Sequence, residues 1–196
     1  MIITISGAAG SGKSTIAQRL SEELSWPRYY IGGIRREMAK KRGMTLADYN
    51  KLGETDFSTD KELDDYQKNL GLKEDNFIIE GRTSWYFIPH SLKIYLDVSL
   101  EEGAKRIFLS LQKSNERNEG NDLKDLEAVK KSVIERSNSD KLRYQKYYNI
   151  DVNDVKHYDF YLDTSKFNQE EVFTSVFNFV KSRLSRPNRN VLPRAK

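Results

Sequence analysis

The chain of 196 residues contains no cysteine, two histidines (His90 and His157), two tryptophans and four prolines. Without cysteine there is no disulfide, no thiolate zinc site and no cysteine nucleophile. Two histidines leave little room for a His-based metal centre or a Ser-His-Asp hydrolase. No run approaches the roughly 18 apolar residues that a membrane span needs. The opening MIITISGAAG lacks the basic stretch and cleavage site of a secretory leader, so a cytoplasmic protein is expected. A genuine excess of one charge is missing too. Lys+Arg total 33 against 29 Asp+Glu. Four of those cations, Arg186, Arg189, Arg194 and Lys196, lie in an acid-free stretch over 185–196, and the remaining chain carries 29 charges of each sign. That stretch also holds Pro187 and Pro193 and shows no period, so it reads as a flexible basic tail. A neutral body argues against nucleic acid as the main partner and leaves only the tail for weak docking to a polyanion.

What is present is an alternation of elements. With 37% hydrophobic and 32% charged residues, the chain is an ordinary globular domain, expected over 1–184. The apolar runs 2–6, 76–81, 92–98 and 157–163 read as strands. Ile16, Leu20 and Leu24 share one helix face, and Trp26-Pro27 ends that helix. Residues 33–42, 45–52 and 59–70 read as short polar helices. Ser99-x-x-Glu102 and Asn168-x-x-Glu171 have the capping-box spacing and open two more helices. The second carries Val172, Val176, Phe179 and Leu184 into the core. Residues 112–125 are polar and read as a loop, followed by a charged helix over 126–148. On that helix Tyr144, Tyr147 and Tyr148 at helical spacing are read as packing rather than as a base-stacking stripe. Strands alternating with helices imply an α/β fold, a parallel sheet covered on both faces in three layers.

One motif carries chemistry. Gly7-Ala8-Ala9-Gly10-Ser11-Gly12-Lys13-Ser14 satisfies G-x-x-x-x-G-K-[ST], directly after a strand and opening a helix, with Thr15 next in the first turn. Gly7, Gly10 and Gly12 let the backbone turn its N–H groups onto phosphate oxygens, and the helix adds its positive end. Lys13 can reach the β- and γ-phosphates, and the Ser14 hydroxyl can ligate Mg²⁺. A GTPase would also need an [NT]-K-x-D motif, which is absent, and a large motor ATPase needs more chain. Small phosphoryl-transfer kinases remain. They need arginines converging on the transferred group and a lid that excludes water. Candidates are Arg35-Arg36 after the Gly32-Gly33 turn, Arg82 at the end of a strand and Arg106 on the helix before the polar loop. Arg136, Asp140 and Arg143 follow at i, i+4 and i+7 on one helix face.

Together the P-loop, the segment 32–44, the Asp60-Lys-Glu-Leu-Asp64 helix, Glu80-Gly81-Arg82, Glu135-Arg136…Arg143-Tyr144, Tyr148-Asn-Ile-Asp151 and Tyr158-Asp159…Thr164 identify a resemblance. The chain resembles the cytidylate (CMP/dCMP) kinases of the P-loop nucleoside monophosphate kinase family, in particular the compact archaeal type. That resemblance implies ATP as donor, Mg²⁺ as cofactor, a monomer, an acceptor-binding helical insert over about 32–72 and a lid over about 106–143. It implies Arg36 and Arg82 as grips on the acceptor monophosphate, with Asp60 beside them. Arg106 and Arg136 become lid arginines, and Asp140 and Arg143 face the acceptor's sugar or phosphate. Glu80 would hold a Mg²⁺-bound water, with Asp97 and Asp163 competing for that role. Asp60, Asp64, Thr83 and Trp85 are candidates for reading the base by position only, and Asp60 and Asp64, at i and i+4 with Lys61 between, better suit an ordinary charged helix face. The chain departs from the expected pattern at Ser110, where a second lid arginine is expected, and Lys113 or Arg117 is a possible substitute. Two other functions fit the residues: phosphorylation of another small acceptor, or nucleotide-dependent regulation or RNA binding without turnover.

Overall fold

The computed structural model describes residues 1–112 and 123–185. Lys113, Arg117, most of the expected polar loop and all but Ser185 of the basic tail lie outside those residues. Five parallel strands form the sheet: β1 (Ile2–Gly7), β2 (Arg28–Tyr30), β3 (Phe77–Glu80), β4 (Leu92–Asp97) and β5 (Phe160–Asp163). Their order is β2-β3-β1-β4-β5. The central strand β1 therefore delivers its C-terminal loop between the C-terminal ends of β3 and β4, where open α/β sheets place ligands.

The period of two in each strand divides the core. Ile3 and Ile5 of β1, Ile78 of β3, and Ile94 and Leu96 of β4 face one layer. That layer is α1 (Lys13–Leu24), through Ile16, Ala17 and Leu20, and α8 (Gln169–Leu184), through Val172, Phe173, Val176 and Val180. Ile2, Phe77 and Ile79 face the opposite layer. There they meet α2 (Ile31–Lys41) and α4 (Ser58–Lys73), with α3 (Leu46–Gly53) lying outside. Two further helices, α6 (Leu100–Gln112) and α7 (Leu126–Tyr148), pack on each other through Ala104, Ile107 and Val129. A single helical turn, α5 (Ser84–Phe87), follows β3.

Local chemistry explains most of these limits. Asn168 accepts from the Glu170 and Glu171 N–H groups while the Glu171 carboxylate takes the Asn168 N–H, a complete capping box. The box expected at Ser99 is half made. The Ser99 hydroxyl accepts from Glu102 N–H at 3.3 Å, but the Ser99 N–H goes to Ser165 and the Glu102 carboxylate to Arg106. Leu184, expected in the core, is exposed at the end of α8. The Gly32-Gly33 pair lies inside α2 rather than in a turn before it. A Cβ on either glycine would meet the Tyr30 ring, within 2.9 Å at Gly32 and 2.7 Å at Gly33, so the pair lets that ring lie flat on the helix.

The P-loop is seated by two close backbone approaches. A Cβ at Gly7 would lie 1.9 Å from the Leu96 carbonyl oxygen of β4. A Cβ at Gly10 would lie 2.3 Å from the Gly103 carbonyl oxygen of α6, and one at Gly103 would lie 2.6 Å from the Ala9 carbonyl oxygen. Gly103→Ala is therefore expected to cost about 1–3 kcal/mol through overpacking. Thermal unfolding should show a lowered Tm together with weaker ADP binding, and an unchanged Tm would refute the contact.

Candidate active site

The anion-binding character of the P-loop follows from its backbone. Gly7, Gly10 and Gly12 adopt φ of 140°, 80° and 88°, and for Gly10 and Gly12 this is the left-handed conformation that a side chain disfavours. Gly12 caps α1 without any side-chain hydrogen bond, and the first turn, which includes Lys13, Ser14 and Thr15, contains no acidic residue. Its N–H groups and the helix dipole thus face the loop interior with no carboxylate competing for them. Lys13 Nζ folds back on the Ala8 carbonyl at 2.6 Å. Ser11 is buried, and its carbonyl accepts from the Thr164 hydroxyl at 3.3 Å.

Ser14 lies in the first turn of α1 against the end of β3. Its hydroxyl donates to Glu80 Oε2 at 2.7 Å, and Glu80 is buried at 2% exposure. A hydroxyl and a carboxylate converge beside the phosphate-binding loop. That donor set suits Mg²⁺, which uses one or two protein ligands and takes the rest from phosphates and water. No group of three or more His, Cys, Asp or Glu side chains is gathered to hold a metal among the described residues. The competing carboxylates are otherwise engaged: Asp97 accepts from Tyr161 at 2.8 Å and Asp163 from Ser165.

Across the cleft, Ser6 of β1 donates to the Gly81 carbonyl at 2.8 Å and draws the turn after β3 against the P-loop. Arg82 follows and forms an ion pair with Asp140 of α7. The P-loop residues Gly7, Ala8 and Ala9, together with Arg82, Asp97 and Asp140, line one cavity of about 390 Å³. Asp140 also pairs with Arg143, which pairs with Asp60 of α4, which accepts from Arg35 Nη1 at 2.9 Å. Arg35, Asp60, Arg143, Asp140 and Arg82 thus form a ladder of alternating charge. Arg143 is fully buried, and Asp60 and Asp140 are 5% and 4% exposed. Removing one partner from such a buried set costs about 3–5 kcal/mol, because it strands a charge. Burial and the nearby Arg143 charge lower the Arg35 pKa. Burial is also the largest cause lowering that of Arg82, and the charges of Arg143 and Arg36 act in the same direction.

The other arginines are placed differently. Arg36 donates to the Tyr30 hydroxyl at 2.6 Å and to the Gly32 carbonyl at 3.1 Å. Arg106 joins Glu102 at 2.9 Å and clasps Thr164 through its hydroxyl and carbonyl, at 3.0 and 2.8 Å. It therefore ties α6 to the residue after β5, beside the P-loop. Arg136 shares the helix of Asp140 and Arg143 but lines a separate groove with Leu46, Asn50 and Lys51 of α3. The exposed-face reading of Asp60 and Asp64 is overturned, since both are buried. Of the other base-reading candidates, Thr83 at the N-cap of α5 and Trp85 within it are both buried, and Trp85 stacks on His157 with ring centroids 4.3 Å apart.

Two contributors, Arg28 and Gly103, escape sequence reasoning, and a third, Thr164, enters it only as a motif residue with no role. Arg28, on a strand too short to show a period, donates to Glu80. Thr164 links Ser11, Asp97 and Arg106. Gly103 had no sequence signal. Its requirement for glycine comes from a partner distant in the chain.

A phosphate-binding loop at the centre of a five-stranded parallel sheet, a Ser–Glu pair beside it and an arginine facing it across a cleft define a P-loop kinase. Solved structures agree on the fold. Shikimate kinase from Bacteroides thetaiotaomicron superposes with a TM-score of 0.60 at 11% identity, over 95% of this chain and 99% of that one. Shikimate kinase from Aquifex aeolicus gives 0.54 at 21% identity, over 94% and 99%. The chain belongs to the cytidylate kinase-like family, whose sequence profile matches residues 2–166. Similar relatives are the cytidylate kinases of Methanobrevibacter smithii, 34% identical over 92% of this chain and 99% of that protein, and of Pyrococcus furiosus, 38% identical over 90% and 86%.

One buried acid beside the ladder titrates in an accessible range. Burial, reinforced by the Asp60 charge, pushes Asp64 up to about 6, although the Tyr148 hydroxyl, Lys68 and Arg35 pull it down. The folded state holds this proton more tightly than the unfolded chain, whose value is 3.8. The resulting stability is present at low pH and is lost as pH rises from about 4 through about 6. Asp64→Asn should therefore gain on the wild type over that window, by up to about 3 kcal/mol. Urea unfolding at a series of pH values measures this, and parallel stability curves would contradict it.

Proposed function

We propose that the chain is an ATP- and Mg²⁺-dependent kinase that phosphorylates CMP or dCMP to the diphosphate. The observation that carries this reading is the opposition, within one cavity, of the P-loop and an arginine that already holds a carboxylate, in a chain of the cytidylate kinase-like family. Lys13 and the N–H groups of residues 7–15 would hold the donor's phosphates, and Arg106 would lie along the donor's side of the cleft. Arg82 and Arg36 would grip the acceptor monophosphate, with Arg82 exchanging the Asp140 carboxylate for a phosphate oxygen. Ser14 and, through water, Glu80 would hold Mg²⁺, which when bound neutralises charge on the phosphates. Asp60, Asp140 and Arg143 would act from inside the protein by holding Arg82 and the insert helices in place, and Arg136 would belong to the lid.

Catalysis would be positioning plus electrostatics. The acceptor phosphate is already ionised, so no side chain needs to act as a strong base, and in-line attack leaves no covalent enzyme intermediate. Lid closure over 106–143 towards an insert over 32–72 would exclude water. No described helix is long and apolar enough to cross a membrane, and a monomer working in the cytoplasm is part of the same proposal.

A coupled assay of ADP release across CMP, dCMP, UMP, AMP and GMP tests this reading. Turnover stimulated by CMP or dCMP is expected. Turnover with another acceptor alone would reassign the substrate, and salt-sensitive RNA binding without turnover would overturn the kinase reading. Within that assay Lys13→Ala should abolish turnover. Arg82→Ala should lower the acceptor's kcat/KM by at least tenfold with the ATP KM little changed. An unchanged acceptor kcat/KM would remove Arg82 from the acceptor site.

A further inference from the structure

We infer that Arg28 is a positioning residue for the metal–nucleotide site: it fixes the Glu80 carboxylate so that one oxygen is spent on Arg28 and the other is presented to Ser14. Arg28 lies on β2, in register with Ile78, two residues before Glu80 on β3, so both side chains emerge on the α1 side of the sheet. Its Nε donates to Glu80 Oε1 at 2.8 Å and its Nη2 donates to the same oxygen. The opposite corner of the guanidinium, Nη1, donates to Gln18 Oε1 at 2.8 Å, and Gln18 lies one turn after Ser14 on α1. The fork is therefore held at both ends. Glu80 Oε1 receives two N–H groups, while Oε2 receives the Ser14 hydroxyl at 2.7 Å.

This division of the two oxygens has a chemical consequence. A buried carboxylate with one oxygen saturated cannot rotate without breaking charge-assisted bonds, so Oε2 stays aimed at the residue expected to ligate Mg²⁺. Outer-shell partners of this kind commonly govern metal affinity by one to two orders of magnitude. Lysine cannot reproduce the arrangement, because it lacks a planar fork able to serve Gln18 and Glu80 together. A mere tie between two strands would need the ion pair but not the orientation of the second oxygen.

The inference rests on the reading that the P-loop takes a metal-bound nucleotide, and the test separates the two. Mn²⁺ is titrated into the enzyme–ADP complex and followed by electron paramagnetic resonance. The Mg²⁺ dependence of CMP-stimulated turnover and ADP binding without metal are measured alongside. For Arg28→Gln, the Mn²⁺ dissociation constant and the half-saturating Mg²⁺ concentration should each rise about tenfold, while metal-free ADP binding stays within twofold of wild type. Arg28→Lys keeps the charge and should shift both metal readouts in the same direction by a smaller factor, which covers the case of Arg28→Gln not folding. Mn²⁺ affinity within twofold of wild type in either folded variant overturns the role of Arg28 while leaving the kinase reading intact. Wild-type protein that binds Mn²⁺–ADP but shows no acceptor-stimulated turnover overturns the kinase reading and leaves that of Arg28 standing.

Discussion

The buried ladder from Arg35 through Asp60, Arg143 and Asp140 to Arg82 is the constraint on which the site depends. Each rung comes from a different part of the chain: α2, α4, two positions on α7, and the turn after β3. Arg143 at its centre has no solvent contact, so its charge must be met inside the protein. It is met by two carboxylates that are themselves each held by a second arginine. The arrangement fixes α2, α4, α7 and the arginine facing the P-loop relative to one another. Hydrophobic contacts alone, which are non-directional, would leave that relation much looser.

The P-loop is fixed by different means. There the backbone does the positioning, through glycines at 7, 10 and 103 that allow chain segments to touch without intervening side chains. Thr164 completes the frame by joining the P-loop carbonyl of Ser11 to Asp97 and Arg106. Polar groups orient the helices around the ladder, and close backbone packing orients the P-loop. The two meet at the turn that Ser6 holds through the Gly81 carbonyl.

Much of this was legible in the sequence, for identifiable reasons. The P-loop could be read because its chemistry is local: the glycines, Lys13 and Ser14 serve one ligand from contiguous positions. Long amphipathic helices and apolar strands declared themselves by period, and the Asn168 box by its spacing. Ser14 and Glu80 were paired by expectation and are in contact in the fold. Three failures share a cause. The strand holding Arg28 is three residues long and has no period to detect. Asp60 and Asp64 alternate with charged neighbours and look solvated, because their cationic and phenolic partners come from elsewhere in the chain. Arg143 shares a helical stripe with Arg136, yet one turns into the core and the other into the groove beside α3, a distinction that depends on where α3 and α4 pack.

The close meeting of Gly10 and Gly103 also bears on how this chain can vary. Gly10 admits only hydrogen because the Gly103 backbone occupies the space a methyl group would need, and at Gly103 that space is taken by the Ala9 carbonyl and the Val98 side chain. A larger residue at Gly10 is not relieved by a smaller one opposite, since the obstacle is the backbone of a glycine, and at Gly103 the obstacle includes a carbonyl that no substitution removes. The contact is therefore a fixed point. Loops may lengthen and surface charges exchange around it, but α6 cannot move away from the P-loop by gradual substitution.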